Sequence, residues 1–298
     1  MSTLARRASA LDRSEQSSTG TGWWRDRLDH AAVHVVLLVG VVVVAGPLAW
    51  MISTSLKAPA DVFSFPPKWI PNPIVWSNYP SALTTLPFGT YFENTLTITL
   101  LAMVGQLFSA ALVAFSFARL RWSGRDALFV VVLATLMLPQ HVTLVPQYIL
   151  FSQLRLVDTF LPLILPAYFG GGAFFIFLLR QFFMTIPLEL DDAARIDGCG
   201  DFGIFWRIIL PQAGPALAAT AIFSFQWHWN DFLGPLIYLT SKTNFTLALG
   251  LRLFQSEMGT EWHLVMAASV VVMLPIVVVF FVAQKYFFQG VVFTGIKG

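Results

Sequence analysis

The sequence predicts an all-α membrane protein, a polytopic bundle of six transmembrane helices. Of its 298 residues, 56% are hydrophobic and only 11% are charged. A soluble domain carries about 25% charged residues, so this chain lacks the polar surface to cover a globule in water. Its apolar runs are roughly 20 residues long, enough for a helix to cross a bilayer. The short alternating segments of a β-barrel are not seen, and helices then satisfy the backbone in lipid.

Six apolar segments follow one another along the chain. The predicted spans cover 31–53, 92–117, 127–150, 160–183, 213–237 and 263–284. We expect residues 1–30 to form a disordered cytoplasmic tail, 31–284 the transmembrane domain and 285–298 a second cytoplasmic tail. Prolines inside these runs are tolerated where neighbouring helices repair the lost hydrogen bonds.

Lysine and arginine residues predict the orientation. With the N-terminus in the cytoplasm, 13 of the 18 basic residues lie on the inner side. This bias predicts a multi-pass protein of a bacterial-type inner membrane with both termini cytoplasmic. The single Cys199 cannot form an internal disulfide. The net charge of +2, without a basic tract, gives no indication of nucleic-acid binding.

The stretch ELDDAARIDGCGDFGIFWRIILP, starting at residue 189, carries dense charge between the fourth and fifth spans. Pro187 suits a first helical turn, and acidic residues are favoured at a helix start, while Gly198 suits a helix end. A second helix is predicted from Asp201, with one apolar face formed by Phe202, Phe205, Trp206 and Ile209. The element 187–211 is thus predicted to be two short helices joined by a glycine turn. The pattern fits either an interfacial linker or a docking element for a soluble partner.

The same stretch resembles the EAA signature of permease subunits of binding-protein-dependent ABC importers. The matching residues are Asp192, Ala193, Ala194, Asp197, Gly198, Phe205, Ile208, Leu210 and Pro211. Asp192 stands where Glu is usual, and Cys199 stands where Ala is usual. Five more fragments are similar to carbohydrate-type permeases of the maltose-transporter class: FENTL (92–96), TLMLP (135–139), RQFFMTIPLEL (180–190), WNDFLGPL (229–236) and QKYFFQGVVFTGIKG (284–298).

This resemblance implies the ABC type I importer permease fold, with a cytoplasmic coupling helix that enters a cleft on an ATPase subunit. Glu189, Asp192 and Asp197 would be its polar contacts, unless these carboxylates cap their own helices. The implied partners are a second permease subunit in a heterodimer, a dimer of ATPase subunits, and an extracytoplasmic solute-binding protein near the outer loop 238–262. No cofactor is expected in this chain, because the ATPase subunits would bind ATP and magnesium.

No pattern for catalysis is legible in the sequence. The phosphate-loop motif G-x-x-x-x-G-K-[ST] is missing, so ATP hydrolysis is expected from a separate subunit. The five histidines lack metal-ligand spacing, and no nucleophile lies in a pattern with a base. We therefore expect neither a metal site nor enzyme activity in this chain.

The fifth span carries the densest intramembrane polar group. Polar residues are costly in a bilayer and tend to face a cavity, and aromatic rings beside hydrogen-bonding side chains suit a sugar. The candidate path residues are Trp227, His228, Trp229, Asn230, Asp231 and Asn94, with Gln226, Glu93, Gln140 and His141 as further candidates. The alternative is an interfacial aromatic belt with helix–helix hydrogen bonds.

The predicted function is import of a sugar or sugar-like solute. A glycerol-phosphate compound is an alternative cargo, although it would favour Arg or Lys along the path and no span interior carries either. An ion-coupled secondary transporter would show inverted repeats and midplane carboxylates, but the sequence shows no repeat and Asp231 is its only candidate carboxylate of this kind. A membrane-embedded enzyme would need a cluster of His, Asp or Ser within the spans.

Overall fold

The computed structural model describes residues 22–256 and 259–292, and helices dominate this part of the chain. The helices are α1 Gly22–Ser55, α2 Asn78–Thr85, α3 Phe88–Arg119, α4 Arg125–Ala134, α5 Gln140–Gln153, α6 Leu161–Ile164, α7 Ala173–Phe183, α8 Glu189–Ile196, α9 Asp201–Ile204, α10 Leu210–Gln212, α11 Gly214–Trp229, α12 Leu233–Tyr238, α13 Leu247–Arg252 and α14 Trp262–Val292. A π turn at Phe205–Ile209 joins α9 to α10. A small antiparallel hairpin, β1 Gln255–Ser256 and β2 Gly259–Thr260, precedes α14.

The part of the chain that the structure describes has four segments that are long and apolar enough to cross a membrane, and two bent helix pairs that each pass the same test when taken together. The continuous segments are Val33–Ser55, Phe88–Arg119, Leu161–Phe183 and Trp262–Gln284. The bent pairs are Arg125–Met137 with His141–Gln153, at 98°, and Asp201–Gln212 with Gly214–Trp229, at 80°. Counting each pair as one span gives six candidate segments, the number that the apolar runs predict. Asp201–Gln212, however, lies mostly in the charged connection that precedes the predicted fifth span.

The third span is not the single helix predicted over 127–150. The chain becomes extended at Leu138 (ψ 118°) and Pro139 (ψ 133°) before α5 begins. Proline has no N–H to continue a helix and disfavours helical geometry in the residue before it. The 98° bend therefore follows from the position of Pro139 between the two halves.

The fourth and fifth spans also depart from the predicted boundaries. Within the fourth, Gly170, Gly171 and Gly172 all have positive φ and separate α7 from the turn before it. The fifth was expected to continue to residue 237, but α11 ends at Trp229 and the short helix α12 follows after a break. At this break, Asp231 Oδ1 accepts a hydrogen bond from the Gly234 N–H (3.1 Å), which satisfies one of the free amides at the start of α12.

Helices extend into both predicted tails. The first helix begins at Gly22 rather than near residue 31, and α14 continues to Val292 rather than ending at 284. Residues 1–21, most of the tail that was expected to be disordered, and residues 293–298 of the second predicted tail are outside the described residues.

The interior has two groups of buried apolar side chains. The group that we name the connection cluster packs α3 and α7 against the charged connection, and includes Phe115, Leu179, Phe183, Ile204, Phe205 and Ile209. A second group joins α2, α3, α11, α13 and α14 through Ala82, Tyr91, Phe225, Trp229, Leu247 and Leu264. By contrast, α1 exposes nearly all its aliphatic side chains, with Val36 at 71%. In a bilayer such a surface faces lipid or another membrane subunit.

Candidate functional site

The charged connection folds as two short helices around a glycine turn, which confirms the sequence-based expectation. Helix α8 ends at Ile196, and Gly198 follows with φ +81°, in the left-handed region that side chains with a Cβ rarely adopt. The second helix starts at Asp201, and Pro187 lies just before the N-cap residue of α8 rather than in its first turn. The element thus reverses direction within a few residues.

One face of this element is fixed to the transmembrane helices. Ala194, Ile204, Phe205 and Ile209 are buried in the connection cluster. The ring of Phe205 is 1% exposed, and its centroid lies 5.2 Å from that of Phe115 in α3. A movement of the connection must therefore displace side chains that belong to the spans, because close-packed interiors transmit strain.

The predicted apolar face of the second helix is only half right. Phe205 and Ile209 are buried, but Phe202 and Trp206 are 68% and 55% exposed and stack on one another at 6.4 Å. The backbone from Phe205 to Ile209 forms a π turn, so the side chains depart from the 3.6-residue spacing on which the prediction relied. The exposed ring pair leaves an apolar surface beside the acidic one.

The other face of the element is exposed and acidic. It carries Glu189, Asp192, Ala193, Asp197 and Gly198, all exposed, whereas the predicted coupling residues Ala194 and Phe205 face inward. Between the two helices, the Arg195 guanidinium lies 3.6 Å from Asp192 and 3.2 Å from Asp201. Arg195 therefore joins the helices across the Gly198 turn without neutralising the whole face.

A buried ion pair, which the sequence-based reasoning missed, anchors α8 to the spans. Arg119 Nη1 lies 3.6 Å from Asp191 Oδ2, and both side chains are almost completely buried. Arg119 Nη2 also donates to the carbonyls of Phe183 (2.7 Å) and Ile186 (2.6 Å). Burial raises the pKa of the Asp191 carboxyl, and the charge of Arg119 opposes that shift. The sequence did carry one signal of this burial. Asp191 and Ala194 are three residues apart, so they lie on the same side of α8, and Ala194 is buried.

A cleft of about 580 Å³ opens beside this pair. Arginines, aspartates and one tryptophan line it, among them Arg119, Arg121, Trp122, Asp191, Asp192 and Arg195. Among the described residues, no group of three or more His, Cys, Asp or Glu side chains is arranged to hold a metal ion.

Two of the predicted path residues on α11 have different environments. His228 Nε2 lies 3.0 Å from Oε1 of Gln106 in α3, and Gln106 Nε2 donates to the Gly171 carbonyl at 2.6 Å. Trp227 is 64% exposed on the same helix. A polar network thus lies at half-buried depth, and the same helix carries an exposed indole.

The other predicted path residues make local or packing contacts. Trp229 is 2% exposed, stacks on Phe225 at 5.3 Å and donates to the Val272 carbonyl, so it is a core residue in this structure. Asn230 donates to the Gln226 carbonyl at 2.8 Å, and Asp231 Oδ1 accepts from the Gly234 N–H at the start of α12. Of the further candidates, Glu93 and His141 are exposed, and the side chain of Gln140 lies outside the described residues.

Two polar anchors fix the predicted outer loop 238–262. Asn94 Nδ2 donates to the carbonyls of Thr243 (2.8 Å) and Phe245 (3.0 Å). Asp158 Oδ1 accepts from the N–H groups of Thr240 and Ser241, both at 2.9 Å. Hydrogen bonds from the Ser241 hydroxyl and from these amides hold the pKa of the Asp158 carboxyl well below its usual range. Asn94, predicted to line a path, therefore positions a loop.

The sequence is similar to those of known membrane transport proteins. Residues 106–292 match the family described as binding-protein-dependent transport system inner membrane component. A probable ABC transporter permease protein of Bacillus subtilis (YurM) is 33% identical over 275 residues, covering 91% of this chain and 90% of the relative. An arabinooligosaccharides transport system permease protein of Halalkalibacterium halodurans (AraQ) is 39% identical over 211 residues, covering 71% and 75%. An sn-glycerol-3-phosphate transport system permease protein of Yersinia pestis (UgpE) is 33% identical, covering 87% and 94%.

A solved structure shares the fold. A chain of a bacterial ABC transporter involved in the import of the acidic polysaccharide alginate superposes with a TM-score of 0.78, at 24% identity, covering 88% of this chain and 98% of that chain. The family match spans more than half of the residues, and the relatives align over most of their own length. This chain belongs to the family of inner-membrane components of binding-protein-dependent transport systems.

Proposed function

We propose that this chain is one of two membrane subunits of an ATP-binding-cassette importer that translocates a sugar or sugar-like solute. The single observation that carries the proposal is the two-faced connection between α7 and α11. Its exposed face is acidic, with Glu189, Asp192 and Asp197, and its other face is packed into the spans through Phe205. A docking element that transmits movement needs both properties.

The partner on the exposed face is a soluble ATPase subunit. Carboxylates on an exposed helix, beside the stacked rings of Phe202 and Trp206, offer charge for orientation and apolar area for affinity. ATP and magnesium are bound and ATP is hydrolysed by that subunit, and this chain converts the closure of its dimer into movement of helices. Both termini lie in the cytoplasm on this proposal, as the basic residues favour.

The solute arrives from a binding protein on the opposite side of the membrane. There, the loop that begins at Tyr238 is held by Asp158 and by Asn94, and a preorganised loop binds a partner at lower entropic cost. The second permease subunit covers part of the exposed apolar surface of the spans.

A sugar is the cargo that the residues favour. Helix α11 carries an exposed aromatic ring, Trp227, and a half-buried hydrogen-bonding side chain, His228, two groups of the kind that suit a ring with an apolar face and a hydroxyl rim. The name of one relative, an arabinooligosaccharides permease, supports this class. The name of another, an sn-glycerol-3-phosphate permease, makes a phosphorylated polyol the second candidate.

The test is ATP hydrolysis by the co-expressed complex in lipid nanodiscs, with a panel of candidate binding proteins loaded with sugars or with glycerol 3-phosphate. The variant carries Asp192→Lys and Asp197→Lys, two exposed positions that reverse the charge of the docking face. The control is Asp126→Lys, an exposed acid at the start of α4, outside the connection.

We expect one loaded binding protein to stimulate hydrolysis in the wild type and in the control. The double variant should lose the ATPase subunit on purification, or lose the stimulation. A double variant that behaves like the wild type refutes the docking face, and stimulation by glycerol 3-phosphate rather than by any sugar refutes the cargo.

A further inference from the structure

The ion pair between Arg119 and Asp191 joins three elements at one point. Arg119 is the last residue of α3, Asp191 lies in the first turn of α8, and the accepting carbonyls of Phe183 and Ile186 lie at the end of α7 and just beyond it. Thus one guanidinium connects the charged connection to two transmembrane helices.

The joint is tight on one side and loose on the other. Its hydrogen bonds to the two carbonyls are 2.7 and 2.6 Å long, whereas the approach to Asp191 is 3.6 Å. Among the side chains that the structure describes, Arg119 Nε and Asp191 Oδ1 have no hydrogen-bond partner. A direct charge-assisted hydrogen bond would be about 2.7–2.9 Å long, so the guanidinium and the Asp191 carboxylate form an ion pair without a direct hydrogen bond.

Such a pair is a poor device for stability alone. Two buried charges bear a desolvation cost that only good geometry and complete hydrogen bonding offset. Here the geometry is long and one atom on each side is unsatisfied. A role in positioning α8 relative to α3 and α7 accounts for its presence better than a role in packing.

We propose that Arg119 and Asp191 are the positioning pair through which movement of the connection reaches α3 and α7. This inference rests on the proposed function, because it requires a partner that moves α8. When the connection is pressed towards α3, Asp191 closes the remaining gap to a direct hydrogen bond. The guanidinium then shifts the end of α7, to which it is already bound.

The experiment uses the whole complex, reconstituted into liposomes and supplied with the loaded binding protein that stimulates the wild type. The variants are Asp191→Asn, which keeps the shape and removes the charge, Asp191→Glu, Arg119→Lys and the Asp191→Asn/Arg119→Lys double. The matched control is Arg125→Gln, since Arg125 also pairs with an aspartate, Asp126, but lies outside the connection. Three quantities are measured: co-purification of the ATPase, basal hydrolysis and solute transported per ATP.

We expect Asp191→Asn and Arg119→Lys to retain the ATPase and basal hydrolysis while solute transported per ATP falls by roughly 2- to 30-fold, the range of coupling energies carried by single residues. Asp191→Glu should recover part of the loss because it restores the charge. The double variant should lose no more than the worse single variant, the signature of two residues that act as one unit.

Normal transport per ATP in both single variants would overturn the inference, and so would additive losses in the double variant. If Asp191→Asn does not assemble, the test rests on Arg119→Lys, which keeps the positive charge. Normal solute transport per ATP in that variant would then overturn the inference. A wild-type complex that no loaded binding protein stimulates refutes the proposed function and this inference together. A responsive wild type with an unaffected pair refutes only this inference.

Discussion

The imidazole Nε2 of His228 lies 3.0 Å from the side-chain oxygen of Gln106, and this contact fixes the tautomer of the histidine. The amide nitrogen of Gln106 donates to the Gly171 carbonyl, so its oxygen is the atom that faces the imidazole. An oxygen can only accept, and His228 must therefore carry its proton on Nε2. The network joins α11, α3 and the glycine break of the fourth span.

Replacement of Gln106 by methionine should destabilise the protein by about 1–2 kcal/mol, because an apolar side chain of similar size leaves the Gly171 carbonyl and the His228 N–H unpaired. The measurement is the unfolding midpoint in detergent, with Gln153→Met as the control at an exposed position. Equal midpoints for the two variants would show that the network contributes nothing to stability.

Two neighbouring glycines should separate backbone strain from close packing. Both Gly170 (φ +96°) and Gly171 (φ +65°) adopt left-handed geometry, but a Cβ on Gly170 would meet open space, whereas one on Gly171 would lie 2.4 Å from the Ala110 backbone nitrogen. Gly170→Ala should cost about 1–2 kcal/mol of unfolding free energy from strain. Gly171→Ala should add about 1–3 kcal/mol from overpacking against α3. Equal unfolding midpoints for the two alanine variants would contradict the close approach of the fourth span to α3.

The outer loop should loosen when Asp158 loses its charge. Its pKa is held low by hydrogen bonds from Ser241 and Thr240, so the carboxylate stabilises the folded loop at pH values above the ordinary aspartate pKa of about 3.9. That contribution is lost as the pH falls below this value towards the lower folded pKa. Hydrogen exchange at the amides of Thr240 and Ser241, corrected for intrinsic rates, should therefore accelerate below about pH 4.

Asp158→Asn should show faster exchange of those two amides already at neutral pH, with no further acid-dependent loss. Asparagine tolerates the positive φ of position 158 (+63°), so the backbone is not disturbed. Asp61→Asn, which removes a different ion pair of the loop after α1, serves as the control. Unchanged protection of Thr240 and Ser241 in Asp158→Asn would show that the carboxylate does not hold the loop.

The number and order of the spans could be predicted because lipid leaves the backbone few choices. An apolar run of sufficient length must be helical when no water can satisfy its amides. The bend after Leu138 and the break after Trp229 are different. Pro139 and Asp231 are visible in the sequence, but whether a proline stays inside a straight helix, or a carboxylate accepts from an amide three residues on, depends on how the helices pack. The length of the apolar runs therefore predicted the spans, whereas the bends and breaks within them are seen only in the folded structure.

The candidate site was predictable as a segment but not residue by residue. The charges, the turn and the two helices follow from local pattern, and Gly198 takes the conformation expected of it. Which aspartate faces inward depends on where α8 begins and on the distant Arg119, so Asp191 was overlooked beside Asp192. Asn94 shows the same limit, since its partners at Thr243 and Phe245 lie 149 and 151 residues away.

Two glycines in the connection differ in backbone conformation but not in the space around them. A Cβ on Gly198 or on Gly200 would meet nothing within 4 Å, but Gly198 has φ +81° whereas Gly200 has φ −78°. Gly198→Ala should therefore lower the unfolding free energy by about 1–2 kcal/mol through backbone strain, or tilt α8 away from α9 to relieve it. Gly200→Ala should be close to neutral or slightly stabilising, because alanine restricts the unfolded chain.

Unfolding midpoints of the two variants give the strain, and co-purification of the ATPase subunit gives its effect on docking. If Gly198→Ala unfolds like Gly200→Ala but releases the ATPase, the chain has kept its stability by changing the angle between the helices. The acidic face would then depend on that angle for recognition. If both variants unfold and bind alike, the left-handed turn is dispensable, and the two helices must be oriented by the Arg195 contacts to Asp192 and Asp201 and by burial of Phe205.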